Sequence, residues 1–140
     1  MPDTAIHEET VAPSFKGRIL IIDDEADIRE SLETLLEIEG YLIELASNAA
    51  EGLDRLDKGR YDLVLLDLMM PDLGGVRVLE ELRDDPELAE IPVIVVTGKI
   101  DAVPGMRALL GDNNVFVKPF AVAELLSRVG EVTGGPVTEE

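Results

Sequence analysis

The sequence of 140 residues predicts an α/β fold built on one parallel sheet of five strands with helices on both faces. Five short apolar runs alternate with stretches of helical periodicity, and the runs are continuously apolar, as in parallel strands buried on both sides. The predicted strands are residues 19–22, 41–45, 63–66, 92–96 and 115–117. Right-handed crossovers make such a sheet doubly wound, and the order 2-1-3-4-5 is taken from the common pattern of five-stranded folds of this kind.

Apolar residues recur at helical spacing between the strands, so each predicted helix has one apolar side. These positions are Ile28, Leu32, Leu35 and Leu36; Ala49, Leu53 and Leu56; Val76, Leu79 and Leu82; and Val122, Leu125, Leu126 and Val129. The last repeat is expected to stop before Gly130. The fourth helix is expected to be short or to begin late, over residues 104–110, because Pro104 and Gly105 interrupt the stretch and proline fits only the first turn.

The chain is predicted to form one domain, residues 17–132, between two aperiodic tails. Residues 1–16 are the predicted mobile N-terminal tail. Residues 133–140 are a C-terminal tail or the start of a linker, so a free-standing domain and a piece of a longer protein both stay open. The first sixteen residues lack the basic start and apolar middle of a secretion signal, and the chain has no cysteine. Both features favour a cytoplasmic location.

The chain is strongly acidic: thirty acidic against twelve basic residues give a formal net charge of −18. Such a surface repels nucleic acid backbones and anionic membranes, so we expect no direct contact with nucleic acid and no membrane insertion. Protein partners with basic patches fit it better, although a merely soluble acidic surface explains the charge equally well.

Charged and hydroxyl side chains follow four of the predicted strands. Asp23, Asp24 and Glu25 follow the first strand, Asp67 follows the third, Thr97 the fourth and Lys118 the fifth. In the order given above, the carboxyl ends of these strands meet over one crevice. Crowded carboxylates repel one another unless a cation neutralises them, and an all-oxygen donor set suits Mg²⁺. A carboxylate there can accept a phosphoryl group, because metal, ammonium and hydroxyl groups stabilise its charge. Singly, each residue also fits a helix cap, a turn or a solvated charge.

The sequence resembles the receiver domains of bacterial two-component response regulators over residues 17–132. The site residues named above carry the resemblance together with Gly75, and they lie in the segments IIDDE at 21–25, DLMMPD at 67–72, IPVIVVTG at 91–98 and KPF at 118–120. The resemblance implies a flavodoxin-like receiver fold and a sensor histidine kinase or phosphotransfer protein as the partner. It also implies a downstream protein, which the sequence does not identify.

By this resemblance, Asp67 accepts a phosphoryl group from a phosphohistidine. The chain would then be a self-phosphorylating acceptor with slow autodephosphorylation, not a turnover enzyme. The resemblance assigns direct Mg²⁺ contacts to Asp24, Asp67 and the backbone carbonyl of Met69, and a contact mainly through water to Asp23.

The resemblance also assigns roles to the last two strands. Lys118 would pair with the phosphoryl oxygens through its ammonium group, and the Lys118–Pro119 peptide bond would be cis. Thr97 would move towards the phosphoryl group and draw its loop along. One position departs from the family. Family members commonly have an aromatic residue three positions before the lysine, but this chain has Val115 there. Phe116 is adjacent, but alternation along the strand points its side chain to the opposite face. This departure and the interrupted fourth helix keep open a pseudo-receiver that binds a protein constitutively without being phosphorylated.

Other functions fit the sequence less well. A hydrolase of the haloacid dehalogenase type would need an acid where Met69 stands, and a flavodoxin would not place an acidic run after its first strand. No glycine-rich nucleotide motif follows any predicted strand. His7 is the single histidine and lies in the predicted tail, so a histidine phosphotransfer role is not expected.

Overall fold

Five parallel strands form the sheet of the computed structural model, which describes residues 15–71 and 74–134. The strands are β1 (Arg18–Ile22), β2 (Leu42–Ala46), β3 (Leu63–Leu66), β4 (Val93–Thr97) and β5 (Val115–Val117). Their order is β2-β1-β3-β4-β5 and every adjacent pair is parallel, which confirms the predicted doubly wound sheet. β2 and β4 lie one residue further along the chain than predicted, and β1 begins one residue earlier.

In the described part of the chain, five α-helices cover the two faces of the sheet: α1 (Ala26–Ile38), α2 (Ala49–Lys58), α3 (Gly74–Asp84), α4 (Val103–Leu110) and α5 (Val122–Thr133). Side chains of α2, α3 and α4 pack on one face, and those of α1 and α5 pack on the other. Successive residues of β1 alternate between these two layers, because strand side chains point to opposite faces. The strands are therefore buried on both sides, as their apolar composition predicts.

Helix α5 corrects the predicted end of the last helix, which the sequence places before Gly130. The helix runs through Gly130 to Thr133 and ends at Gly134, whose φ of +69° is the left-handed conformation that glycine favours at helix ends. Gly130 costs about 1 kcal/mol relative to alanine, which the burial of the apolar side of α5 outweighs. The hydroxyl of Thr133 also lies 3.0 Å from that of Tyr41, so the last residue of α5 contacts the rest of the domain.

Helix α4 is short, as predicted. A 3₁₀ turn over Ile100–Ala102 precedes it, and the α-helix begins at Val103, one residue before the predicted start. Pro104 lies in its first turn, where the missing amide hydrogen costs no helical hydrogen bond. The interrupted sequence therefore yields an eight-residue helix.

The predicted tails, residues 1–16 and 133–140, fall mostly outside the described residues. Within the described ranges, none of the helices combines the length and the apolar character that a membrane span requires.

Candidate functional site

Two buried acids lie side by side at the carboxyl edge of the sheet. Asp23 directly follows β1 and Asp67 directly follows β3, and the last residues of these two strands are paired in register. The Asp67 amide donates to the carbonyl of Ile22 at 3.0 Å, and the Asp23 amide donates to the carbonyl of Ala46 at 3.1 Å. These bonds continue the strand pairing beyond the strands themselves. Each aspartate is only 3% exposed, so both carboxyl groups are held inside the crevice.

An ammonium group from the far side of the sheet reaches both acids. Lys118 Nζ lies 3.1 Å from Asp23 Oδ2 and 3.3 Å from Asp67 Oδ2. The Lys118 backbone amide donates to the carbonyl of Thr97 at 2.9 Å, which ties the ends of β4 and β5 together. The Lys118–Pro119 peptide bond is cis, as the family resemblance implies. Residues from the first, third and fifth strands therefore meet at one point, as predicted.

The pKa values of Asp23 and Lys118 are both raised, for different reasons. Burial raises the pKa of Asp23; the hydrogen bond from the Glu25 amide opposes this, and the nearby charge of Asp67 adds to it. Burial alone lowers the pKa of Lys118, but the hydrogen bond to Glu25 and the charges of the two aspartates outweigh it. The pKa of Lys118 therefore lies above its ordinary value, and the residue is a fixed positive charge at neutral pH.

A third carboxylate, that of Glu25, completes the acidic group. Asp23, Glu25 and Asp67 each offer one carboxylate oxygen within 4.8 Å of the others. The sequence places Glu25 at this strand end, but the family resemblance assigns the metal contacts to Asp23, Asp24, Asp67 and Met69 and gives Glu25 no role. The backbone at Glu25 is extended, so residues 23 and 25 point to one side while exposed Asp24 lies outside the group. An all-oxygen set of this kind fits a hard divalent cation such as Mg²⁺.

Thr97 and Met69 lie beside these acids, and the structure gives a backbone hydrogen bond near each of them. Thr97 is fully buried at the end of β4, and its Oγ1 accepts a hydrogen bond from the Lys99 amide at 3.0 Å. The Met69 amide donates to Asp67 Oδ1 at 2.9 Å, while Met69 as a whole is 54% exposed. One oxygen of Asp67 is therefore held by the loop after β3, and the other faces Lys118.

Strand β5 confirms the predicted departure from the aromatic pattern. Val115 is buried in the layer of α2, α3 and α4, and Phe116 lies in the opposite layer. There the ring of Phe116 meets that of Phe120 edge to face, with 6.5 Å between the ring centroids. Phe116 therefore cannot replace the missing aromatic side chain at position 115.

The doubly wound sheet and this site together define a class of signalling module. The family model described as "Response regulator receiver domain" matches residues 19–130. The chain belongs to this family: it is a receiver domain of a two-component response regulator, with acidic residues clustered as at a phosphorylation site.

Named relatives are similar over the same region. The chain is 43% identical to an uncharacterized transcriptional regulatory protein, YkoG, of Bacillus subtilis over 81% of the chain and 50% of YkoG. It is 40% identical to the CpxR homolog of Haemophilus influenzae, a transcriptional regulatory protein, over 81% of the chain and 48% of that protein. The chain thus spans about half the length of these curated relatives. A solved structure of the response regulator TrrA from Thermotoga maritima, in complex with Mg²⁺ and BeF, is 36% identical, with a TM-score of 0.72 over 82% of this chain and 97% of that one.

Proposed function

We propose that Asp67 accepts a phosphoryl group from the phosphohistidine of a sensor histidine kinase or a phosphotransfer protein, with Mg²⁺ bound beside it. The observation that carries this proposal is the contact of one ammonium group, Lys118 Nζ, with the two buried carboxylates of Asp23 and Asp67. Helix caps, turns and surface charges do not require residues from three different strands at one point.

The proposed step exchanges one bond to phosphorus for another. A carboxylate oxygen of Asp67 attacks the phosphorus atom, and the new O–P bond forms as the N–P bond to the imidazole breaks. The imidazole nitrogen keeps the electron pair and takes up a proton. Lys118 would balance charge on the phosphoryl oxygens, because its ammonium already lies at Asp67. The Met69 amide would hold the acceptor carboxylate through Oδ1.

The donor set supports Mg²⁺ as the cofactor. Asp24, Asp67 and the backbone carbonyl of Met69 would hold the ion directly, Asp23 would contact it through water, and exposed Asp24 would have to turn inwards to take part. Glu25 offers a further carboxylate at the same point. When bound, Mg²⁺ supplies positive charge that offsets the charge of the carboxylates and the phosphoryl oxygens.

Thr97 would transmit the modification to the surface. Its hydroxyl oxygen accepts a hydrogen bond from the Lys99 amide, and a phosphoryl group on Asp67 would offer the hydroxyl hydrogen a charged acceptor. Rotation towards this acceptor would release the Lys99 amide and move the loop that leads into α4. Because the residue at position 115 is a valine, this movement would proceed without an aromatic side chain following it.

The proposed output is a change in a protein contact. The formal net charge of −18 disfavours direct binding to nucleic acid. The curated relatives are transcriptional regulators, and the chain matches about half of their length. We therefore propose that this domain regulates transcription in the cytoplasm through another protein or domain. It would act as a phosphoacceptor that changes state, not as a turnover enzyme.

Phosphodonor labelling tests the proposal. The chain is incubated with acetyl phosphate and Mg²⁺, and its intact mass is compared with those of Asp67→Asn and Asp54→Asn, where Asp54 is an exposed residue of α2. We expect the native chain and Asp54→Asn to gain one phosphoryl group, Asp67→Asn to gain none, and a chelator to stop the labelling. Absence of labelling in the native chain would favour the pseudo-receiver, which binds its partner constitutively.

A further inference from the structure

Glu25 holds Lys118 more closely than either buried aspartate does. Glu25 Oε1 lies 2.8 Å from Lys118 Nζ, whereas the oxygens of Asp23 and Asp67 lie at 3.1 and 3.3 Å. We infer that Glu25 is a positioning residue, which keeps Lys118 at the acceptor after a cation has replaced its ammonium group between the two aspartates. This inference rests on the proposed phosphoacceptor function of Asp67.

The three acids differ sharply in exposure, and this difference separates their roles. The side chains of Asp23 and Asp67 are 4% and 2% exposed, and that of Glu25 is 57% exposed. Lys118 is 15% exposed and bridges the buried pair and the outer carboxylate. Glu25 therefore binds the ammonium from the solvent side, and the aspartates bind it from the crevice.

The backbone that carries Glu25 is also held by hydrogen bonds that do not involve Lys118 directly. The Glu25 amide donates to Asp23 Oδ1 at 2.8 Å, and the Glu25 carbonyl accepts from the Arg29 amide in the first turn of α1 at 3.0 Å. The Arg29 guanidinium also donates to the Asp23 carbonyl at 2.7 Å. The anchoring carboxylate would therefore remain in reach when the ammonium moves.

A divalent cation at this site would compete with the Lys118 ammonium for the negative charge of the two aspartates. A cation that Asp67 holds directly and Asp23 holds through water would repel the ammonium that lies against both carboxylates. A lysine without another anchor would then gain rotamer freedom and leave for solvent, since its long side chain loses much entropy when held. Glu25 offers a nearby anion that is not buried, so the displaced ammonium would stay close to the phosphoryl oxygens.

The first test reads Lys118 directly, without cation or phosphodonor. The NMR signal of its ammonium group is assigned with Lys118→Arg and recorded in the native chain, in Glu25→Gln and in Glu30→Gln. Glu30 is an exposed residue of α1, so its substitution removes the same charge outside the site. We expect the signal to shift or disappear through faster proton exchange in Glu25→Gln and to persist in Glu30→Gln.

The second test measures labelling of the full chain by acetyl phosphate as Mg²⁺ is raised until the rate no longer increases. At saturating Mg²⁺, we expect the labelling rate of Glu25→Gln to be about three- to fivefold below that of the native chain. A loss of this size corresponds to the usual strength of an exposed ion pair. Glu30→Gln should match the native rate. Such a loss at saturation cannot come from weaker cation binding alone.

Two results would overturn the inference: an unchanged Lys118 signal in Glu25→Gln, or a native rate in Glu25→Gln once Mg²⁺ saturates. The second would mean that Glu25 contributes only negative charge to the cation site. Either result leaves labelling of the native chain intact, whereas failure of the proposed function would appear as an unlabelled native chain.

Discussion

Gly75 at the start of α3 lies against the backbone of Asp67: a Cβ atom on Gly75 would be 2.4 Å from the Asp67 carbonyl oxygen. The same atom would be 2.5 Å from the Cα of Leu68, so the side chain has no space and the backbone would have to move. The position of Asp67, the proposed phosphoacceptor, therefore depends on the absence of a side chain at residue 75.

We expect Gly75→Ala to lower the free energy of unfolding by about 1–3 kcal/mol, the usual cost of overpacking, and to slow phosphodonor labelling. Gly105→Ala in α4 is the matched control, because its Cβ would meet nothing within 4 Å. That variant should gain about 0.5–1 kcal/mol from better helix propensity. Urea denaturation measures both effects, and equal behaviour of the two variants would contradict the close approach.

Glu44 at the outer strand β2 should make stability sensitive to acid. The hydrogen bond from the Tyr61 hydroxyl, at 2.5 Å, and the hydrogen bond from Arg18 lower the pKa of Glu44. Because the pKa of Glu44 is lowered in the folded state, its carboxylate contributes to the free energy of unfolding. This contribution is complete above the ordinary pKa of 4.5 and is lost as the pH falls below that value. Glu44→Gln should cost about 1–3 kcal/mol at neutral pH and little at low pH.

Urea denaturation from neutral to acidic pH checks this prediction. Glu81→Gln is the control, since Glu81 pairs with Arg77 on the exposed side of α3 and should contribute less than about 1 kcal/mol. A cost for Glu44→Gln that does not change with pH would contradict the assignment.

Tyr61 should titrate well above an ordinary tyrosine. Burial and the hydrogen bond to Glu44 raise the pKa of Tyr61 to about 12 from 10.0. Because the raised value belongs to the folded state, the resulting stability is complete below pH 10 and is lost as the pH rises towards 12. In Tyr41→Phe, phenolate absorbance after a rapid pH jump should give a midpoint near 12 when folded. In urea the midpoint should return to the ordinary value, and identical midpoints would refute the prediction.

Loss of the Lys118 ammonium should destabilise the site and make the fold more dependent on cations. Lys118→Ala leaves the carboxylates of Asp23, Glu25 and Asp67 close together without their positive partner, which should cost about 1–3 kcal/mol. Thermal unfolding should show a larger gain from Mg²⁺ in this variant than in the native chain, because ligand binding stabilises the folded state. Lys58→Ala, at an exposed pair with Asp54, is the control. An equal stabilisation by Mg²⁺ in Lys118→Ala, Lys58→Ala and the native chain would argue against a cation site at the carboxylates that Lys118 contacts.

The sheet could be predicted from the sequence because its signals are local. Continuous apolar runs followed by Asp23, Asp67 and Thr97 fix both the strands and the edge at which these side chains lie. The opposite placement of Val115 and Phe116 follows from strand alternation alone. The shortness of α4 likewise follows from the backbone chemistry of proline.

The parts that could not be predicted depend on contacts between distant residues. Gly130 predicts a helix end, but packing of α5 on the sheet carries the helix on to Thr133. Of the adjacent acids Asp24 and Glu25, only Glu25 reaches the acidic group in this structure. The loop conformation and the position of Lys118 determine which of the two does so. Residue type alone does not distinguish them.

Localisation of the phosphoryl group tests the central claim most directly. After treatment with acetyl phosphate and Mg²⁺, the acyl phosphate is reduced with borohydride and the modified residue is found by peptide mapping. We predict a single modified residue, Asp67. Modification at another carboxylate, or none at all, would contradict the assignment of Asp67 as the phosphoacceptor.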